Sequence, residues 1–246
     1  MGSSVADIIE IESKETKMSK GILYGVSTGP GDPELMTVKA MKAIEKCEVI
    51  AAPRTKGENC MALDIVKGIM NVDDKEIIYL DFAMKKDAGI LNSTHRQQAD
   101  AVEEALSQGK NVAMLNIGDA SLFGTYCYVR DLVVADGYES ITIPGVTSFC
   151  ASAAVLEQSL TVMHAPMTII PGSFDGVEEA LNYPGTKVIM KSASALPQVR
   201  DLLEEKGWVD KASFVANCGL PTQKVVKDIR ESKGDEGYFV TILVQE

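Results

Sequence analysis

Polar side chains and glycines are concentrated in four short segments, each of which follows a run of apolar residues. The segments are residues 28–32, 116–124, 144–148 and 217–221. Loops of this kind, at the carboxyl ends of strands, let a small ligand approach the bare backbone. Backbone amides there can bind the edge of a purine, and a carboxylate such as that of Asp119 can accept hydroxyl or ammonium protons. The four segments therefore predict a small-molecule site built mainly from loops.

The first segment shows most clearly how a strand gives way to a helix. The apolar run GILYGV is followed by a tight turn at Gly29, Pro30 and Gly31, and Asp32 can cap the next helix. The spacing does not match G-x-G-x-x-G, because Glu34 occupies the third glycine position, and no lysine follows as it would in a P-loop. Taken alone, this loop also fits a turn that binds nothing.

Each candidate in the other segments has a structural alternative. Asp119 can cap its own turn, and Thr147 can cap the helix that follows it. Leu122 and Met190 are residue types that are usually buried in a core. Cys218 lies in a glycine loop with no histidine near it in the sequence, so a structural thiol is the alternative to a nucleophile.

Apolar runs alternate with segments of helical spacing, which predicts a mostly parallel α/β architecture. Among the expected helices are residues 33–46 and 225–231. We predict two α/β domains with a cofactor cleft between them, because ligands favour such clefts. The expected parts are a flexible N-terminal extension at 1–20, an N-terminal α/β domain at 21–145, and a linker helix with a C-terminal α/β domain at 146–246.

The balance of charges limits the classes of partner. The 246 residues carry 24 Lys and Arg against 35 Asp and Glu, a net charge of −11. Such a surface repels phosphate backbones, so no nucleic-acid partner is expected. No apolar run approaches the roughly 18 residues that cross a bilayer, and residues 1–20 lack the apolar region of a signal peptide. The composition favours a soluble enzyme or small-ligand-binding protein with no membrane partner.

The cysteines and histidines argue against a metal centre. Five cysteines are scattered along the chain without a C-x-x-C pair, and the two histidines are His95 and His164. An odd number of separated cysteines favours a reducing cytoplasm over a disulfide framework or a zinc site. We therefore expect a cytoplasmic protein without bound metal.

Four motifs, in this order, carry a resemblance to a known family. They are GVSTGPGDPELMTVKA at 25–40, GDASLFGT at 118–125, IPGVTSF at 143–149 and VANCGLPTQKV at 215–225. Together they closely resemble the tetrapyrrole (corrin/porphyrin) methylase family, which uses S-adenosylmethionine. GPGDPEL, TYCYV and NCGLP look most like the branch that methylates C20 of precorrin-2 or cobalt-factor II in cobalamin biosynthesis. The resemblance extends from residue 21 to the C-terminus.

The resemblance implies a homodimer and a set of cofactor contacts. Carried over by position, these contacts are Pro30, Ile117, Gly118, Asp119, Leu122, Thr147, Ser148, Met190 and Cys218. Two positions depart from the family pattern. Cys218 stands where relatives often have glycine, and Ala120 stands where proline commonly follows the Gly-Asp pair.

The implied chemistry needs positioning more than acid–base catalysis, because methyl transfer from a sulfonium to carbon requires an in-line approach. The sequence assigns no catalytic base, and Tyr126, Tyr128 and His95 are the candidate proton acceptors. A polycarboxylate substrate needs cations on this acidic protein. The candidates are Arg54, Lys56 and Lys191, each of which also fits a solvated surface position.

Two alternatives to this function remain open at the level of sequence. One is a methylase of the same fold with another acceptor, such as a different corrinoid carbon, ribosomal RNA or diphthine. The other is a non-catalytic module that binds S-adenosylmethionine. The net charge of −11 argues against the RNA acceptor.

Overall fold

The computed structural model describes residues 19–54, 60–82, 88–192, 195–234, 236–237 and 239–245. Within these residues the strands form two five-stranded sheets. The strands of the first sheet are β1 (Ile22–Ser27), β2 (Val49–Arg54), β3 (Glu76–Asp81), β4 (Val112–Asn116) and β5 (Glu139–Ile143). Those of the second are β6 (Met167–Pro171), β7 (Thr186–Met190), β8 (Ala212–Ala216), β9 (Lys224–Val226) and β10 (Val240–Val244).

Helices connect most of these strands. The α-helices are α1 (Val38–Glu45), α2 (Met61–Lys67), α3 (Ala88–Ser107), α4 (Tyr126–Ala135), α5 (Ser148–Leu156), α6 (Val177–Leu181) and α7 (Leu196–Glu205). Short 3-10 turns lie at Pro33–Leu35, Val209–Lys211 and Ile229–Glu231. The predicted extension at 1–20 lies outside the described residues up to residue 18.

The first sheet is parallel throughout, as the alternation of strands and helices predicts. Its strand order is β3-β2-β4-β1-β5. Ser27 at the end of β1 is in register with Asn116 at the end of β4. The loops that follow these two strands therefore leave the sheet side by side, which brings two of the glycine-bearing segments together.

The second sheet is mixed and departs from the mostly parallel pattern that the sequence predicted and that the first sheet follows. Its order is β6-β7-β10-β8-β9, and only the β6–β7 pair is parallel. A parallel pair needs a crossover of a dozen or more residues. The seven residues 217–223 between β8 and β9 are too few for such a crossover, so these strands pair as an antiparallel hairpin.

Two predicted helices are also corrected. The segment 225–231 begins as part of β9, because Val225 and Val226 pair with β8, and only a 3-10 turn follows. The helix predicted over 33–46 is interrupted near Met36. Thr37 restarts it by accepting a hydrogen bond from the Ala40 amide on its hydroxyl oxygen at 3.1 Å.

Apolar side chains are buried on both faces of each sheet. On one face of the second sheet lies a cluster that includes Val188, Val215 and Leu243 from three of its strands. Phe149 of α5 and Leu122, from the loop after β4, pack into the same cluster. The packing therefore joins the loops of the first sheet to the second sheet.

Candidate functional site

The loops after β1 and β4 are joined directly through two glycines. The Gly29 amide donates to the Gly118 carbonyl at 3.3 Å, and the Gly118 amide donates to the Gly29 carbonyl at 2.7 Å. Both glycines have a φ of +73°, in the left-handed region that other residues rarely adopt. The two segments that the sequence predicted as parts of a site are thus paired directly through their backbones.

Asp119 ties this unit to the loop after β5. Its Oδ2 accepts a hydrogen bond from the Gly145 amide at 2.8 Å, and its Oδ1 accepts from the Ser121 amide at 2.8 Å and from the Ser121 hydroxyl. Burial alone would raise the pKa of Asp119, but the three hydrogen bonds outweigh it and lower the pKa. The ionised carboxylate therefore holds two loops together through its hydrogen bonds, and we call a residue that does this a bracket.

Ser27 is a second bracket that the sequence did not indicate. Its hydroxyl donates to the Ile143 carbonyl at 2.7 Å and accepts from the Ala120 amide at 2.9 Å. The residue is fully buried at the end of β1. Gly145 lies against it, since a Cβ at that glycine would be 2.4 Å from the Ser27 Cβ. A serine in a buried strand resembles any core residue in sequence, so no local signal marks this role.

The fourth segment, after β8, meets the first segment by close backbone packing. A Cβ at Gly31 would lie 2.4 Å from the Cys218 carbonyl oxygen. A Cβ at Gly219 would lie 2.4 Å from the Asp32 nitrogen, and Gly219 has a φ of +77°. These glycines allow the loop of the second sheet to rest on a loop of the first. The four segments therefore converge, as the sequence predicted for a cleft between two halves.

Three of the predicted contact residues form the apolar part of the cleft. Leu122, Met190 and Cys218 all belong to the cluster that includes Phe149 and Val146. Leu122 and Met190 are half-buried, whereas Cys218 is buried. Burial raises the pKa of the Cys218 thiol. A neutral, buried thiol fits a structural role and is a poor nucleophile at neutral pH.

Two hydroxyl residues at the start of α5 differ in their partners. The Ser148 hydroxyl oxygen accepts from the Thr241 hydroxyl at 3.4 Å, which links α5 to β10. Thr147 occupies the N-cap position of α5, yet its side chain makes no capping hydrogen bond. Its buried Oγ1 has no partner among the described residues. The Thr147 hydroxyl therefore does not cap α5, which was the structural alternative to a ligand contact.

The remaining predicted cofactor contacts lie beside these groups. Pro30 is buried between Gly29 and Gly31. Ile117 is half-buried and packs against the core cluster of the first sheet, so its side chain faces the protein interior. Beside Gly118, a Cβ would meet nothing closer than the Ser148 nitrogen, at 4.0 Å. The space next to this glycine is therefore open.

The candidate substrate cations differ in what surrounds them. Arg54 donates from Nε to Asp81 Oδ1 at 2.5 Å and from a terminal nitrogen to Oδ2 at 3.0 Å, and it lies 4.8 Å from the centroid of the Tyr79 ring. Its charge is thus already paired with a carboxylate. Lys56 lies outside the described residues. Lys191 lies over the ring of Phe123, with Nζ 5.1 Å from the centroid.

The three side chains considered as proton acceptors occupy two different environments. Tyr126 is fully buried against Gly25, and its hydroxyl is 2.8 Å from the Ser140 Oγ and 3.0 Å from the Thr142 Oγ1. Tyr128 and His95 instead stack on each other, with centroids 4.5 Å apart. Burial lowers the pKa of His95. Tyr126 is therefore a core residue, and the surroundings of these three side chains do not assign a general base.

A groove of about 610 Å³ lies next to the converging loops. It is bounded by Leu35 and Val146, by the outer face of α5, and by the loop after β8. Val155 on that face is 37% exposed, and Cys150 is also exposed. The sequence predicted a helix of small residues at α5, but it gave no indication that one side of this helix lines an apolar groove.

In the described part of the chain, no helix combines the length and apolar character needed to cross a bilayer. No group of three or more His, Cys, Asp or Glu side chains among those residues is arranged to hold a metal ion.

Fold and site together define a two-sheet α/β protein with a glycine-lined, loop-built cleft between its halves. Residues 22–232 match the family model of the Tetrapyrrole (Corrin/Porphyrin) Methylases. The chain belongs to this family, which confirms the resemblance drawn from the four motifs.

Individual relatives agree with this assignment over most of their length. The chain is 29% identical to the cobalt-precorrin-2 C(20)-methyltransferase of Salmonella typhimurium (strain LT2), covering 92% of this chain and 97% of that protein. It is 30% identical to the precorrin-2 C(20)-methyltransferase of a Sinorhizobium species, covering 91% and 95%. Among solved structures, the uroporphyrin-III C-methyltransferase of Thermus thermophilus in complex with S-adenosylhomocysteine matches with a TM-score of 0.67 at 20% identity, covering 92% of each chain. At this level of identity, the likeness shows that the two proteins share a fold.

Proposed function

We propose that this protein transfers a methyl group from S-adenosylmethionine to C20 of precorrin-2 or cobalt-factor II in cobalamin biosynthesis. The observation that carries the proposal is the convergence of all four family motifs on one cleft, with Gly29 against Gly118 and Gly31 against Cys218. The two C(20)-methyltransferase relatives, each matched over more than nine-tenths of its length, support the choice of acceptor.

The residues of the cleft fit a nucleoside with a charged amino-acid end. The unpartnered Thr147 Oγ1 can donate to or accept from a polar ligand group. Carbonyl and carboxylate oxygens accept more than one hydrogen bond, so the Gly118 carbonyl and Asp119 can bind a ligand while they keep their protein partners. Half-buried Leu122 and Met190 offer apolar contacts to a flat ring. The open space beside Gly118 leaves room for these contacts.

In this proposal the protein promotes methyl transfer mainly by holding the cofactor and the substrate in the right orientation. S-adenosylmethionine, when bound, supplies a methyl group activated by a sulfonium. Loops fixed by the Gly29–Gly118 bridge and by the Asp119 bracket hold both partners without reorganising. Orientation of this kind contributes up to about 7–11 kcal/mol in well-positioned systems. We assign no general base, and we propose that the electron-rich macrocycle releases its proton to water.

We also propose the wider organisation that the sequence indicated. The N-terminal domain comprises residues 21–145 and the C-terminal domain, with its linker helix, residues 146–246. We propose a cytoplasmic homodimer. Sedimentation equilibrium tests the dimer. Arg54, Lys56 and Lys191 remain the proposed contacts of the substrate carboxylates.

Mass spectrometry of incubations with labelled S-adenosylmethionine and either precorrin-2 or cobalt-factor II tests the reaction. We expect one added methyl group at C20 and stoichiometric S-adenosylhomocysteine. Methylation at another carbon or of another acceptor would correct the substrate. Cofactor binding without turnover on any tetrapyrrole would indicate a binding module instead.

The cofactor site has its own test in Thr147→Val, with Thr147→Ser as the matched control. Valine keeps the shape of threonine but removes a buried hydroxyl that has no partner among the described residues, so the free energy of unfolding should not fall and should rise by about 1 kcal/mol. Affinity for S-adenosylhomocysteine, measured by calorimetry, should fall by about 0.5–1.5 kcal/mol in Thr147→Val and stay near wild type in Thr147→Ser. Unchanged affinity in the valine variant would remove Thr147 from the site.

A further inference from the structure

One side-chain contact reaches between the two sheets at the edge of the cleft. The ammonium of Lys191 lies 5.1 Å from the centroid of the Phe123 ring. Phe123 belongs to the loop after β4, and Lys191 directly follows β7. Each is the next residue after a proposed cofactor contact, Leu122 and Met190 respectively. The pair therefore lies beside two proposed cofactor contacts and joins elements of both halves.

Both residues adopt an unusual backbone conformation. The φ of Phe123 is +54° and that of Lys191 is +52°, in the left-handed region that disfavours residues with a Cβ. Such conformations persist where the surrounding structure imposes them, and they are concentrated at functional sites. The two residues with this conformation contact each other, although they follow strands of two different sheets.

The charge of Lys191 is not neutralised by a carboxylate in the described part of the chain, where its contact is with the aromatic ring. Lys191 is exposed, and partial desolvation of its ammonium lowers its pKa. Arg54, by contrast, is held by both oxygens of Asp81. Of these two candidates, Lys191 is the one able to receive an incoming anion without first breaking an ion pair.

We propose that Phe123 is a positioning residue, which holds the Lys191 ammonium at the edge of the cleft so that it binds a carboxylate of the substrate. The ring covers one side of the ammonium, and the remaining N–H groups stay available to donate to a carboxylate. An ammonium ordered before binding loses less conformational entropy when the substrate arrives. The identity of that carboxylate as part of a tetrapyrrole rests on the proposed function.

Steady-state kinetics of matched variants test this role. Phe123→Leu removes the ring and keeps an apolar side chain, so KM for the tetrapyrrole should rise about two- to fivefold. Lys191→Met should raise it about tenfold or more, because a charge-assisted hydrogen bond is lost. In both, KM for S-adenosylmethionine and kcat should change less than about twofold, and Phe123→Tyr should restore wild-type behaviour.

The double variant separates positioning from general loop damage. If the ring acts through the ammonium, Phe123→Leu should add almost nothing to KM in a Lys191→Met background. Phe174→Leu is the control for an exposed phenylalanine. Lys206→Met is the control for a lysine over a ring, since its Nζ lies 5.8 Å from the centroid of Trp208. Fully additive effects, or unchanged KM in both single variants, would overturn the proposal.

A measurement without turnover keeps this proposal separate from the proposed function. Uroporphyrin III, a stable tetrapyrrole polycarboxylate, serves as the probe while lysine acylation is followed by mass spectrometry. The probe should slow acylation of Lys191 severalfold, leave Lys206 unaffected, and protect Lys191 less in Phe123→Leu. If uroporphyrin III protects Lys191 but the protein methylates no tetrapyrrole, the proposed methylation is refuted and the role of Lys191 and Phe123 stands. Methylation with no protection and no KM effect would refute the role of Lys191 and Phe123.

Discussion

Replacing Asp119 by alanine tests whether this carboxylate is a bracket between loops or solely a ligand for the cofactor. The substitution removes the acceptor of three hydrogen bonds, two from Ser121 and one from Gly145. Ser121 is exposed, so its amide and hydroxyl can turn to water at little cost. The Gly145 amide belongs to another loop, 26 residues away, and it is half-buried. The main loss is therefore the bond to Gly145.

The magnitude follows from that single bond. A hydrogen bond to a charged group contributes about 1.5–3 kcal/mol, so Asp119→Ala should lower the free energy of unfolding by about 2 kcal/mol. Asp119→Asn keeps one neutral acceptor for Gly145 and should cost about 1 kcal/mol. The control is Asn71→Ala, which removes a local turn bond to the Asp73 amide and no contact between loops. It should cost less than about 0.5 kcal/mol.

Urea unfolding measured at several pH values adds a second readout. The pKa of Asp119 is lowered in the folded protein, so its ionisation stabilises the fold above the ordinary pKa of about 4. This contribution is lost as the pH falls through the lower, folded value. The difference between wild type and Asp119→Asn should therefore be constant near neutrality and shrink below about pH 4.

Calorimetry with S-adenosylhomocysteine completes the assay. We expect Asp119→Ala to weaken binding by about 1–3 kcal/mol, because the loop that carries it is no longer tied to the loop of Gly145. Wild-type stability together with lost binding would refute the bracket and leave Asp119 as a ligand contact alone. Lost stability with unchanged affinity would remove Asp119 from the cofactor site.

Two further predictions concern the neighbouring loops and the substrate. Gly31→Ala places a Cβ 2.4 Å from the Cys218 carbonyl oxygen, so the two loops must separate, and we expect a loss of about 1–3 kcal/mol in urea unfolding together with weaker cofactor binding. Gly207→Ala, at a positive φ with open space, is the control and should cost about 1 kcal/mol without an effect on the cofactor. Arg54→Ala should raise KM for the tetrapyrrole severalfold, leave cofactor affinity unchanged, and show a smaller difference from wild type at high salt. Unchanged KM would mean that the contact of Arg54 with Asp81 serves the structure alone.

Most elements of the first half could be predicted because their signals are local. Residues 112–115 are a continuous apolar run, and in the sheet they form most of the strand β4, which is buried at every residue. Asp32 is predicted to cap the helix that follows it, and its carboxylate accepts from the Glu34 amide at 2.9 Å at the start of the 3-10 turn Pro33–Leu35. The segment 225–231 failed because its residues are compatible with a helix, while pairing with β8 is a long-range interaction. Local propensity carries no information about which strand lies beside a segment in the folded sheet.

The sequence by itself determined the family and the four segments that build the cleft, since glycines, prolines and capping residues fix the backbone locally. It left open what each side chain does. Only the tertiary structure decided that Asp119 brackets Gly145, that Arg54 is paired with Asp81, and that Lys191 meets Phe123. The physical reason is that each of these contacts joins residues from different strands or loops. The distances between these side chains are set by how the sheets and loops pack against each other. The spacing of residues along the chain does not encode that packing.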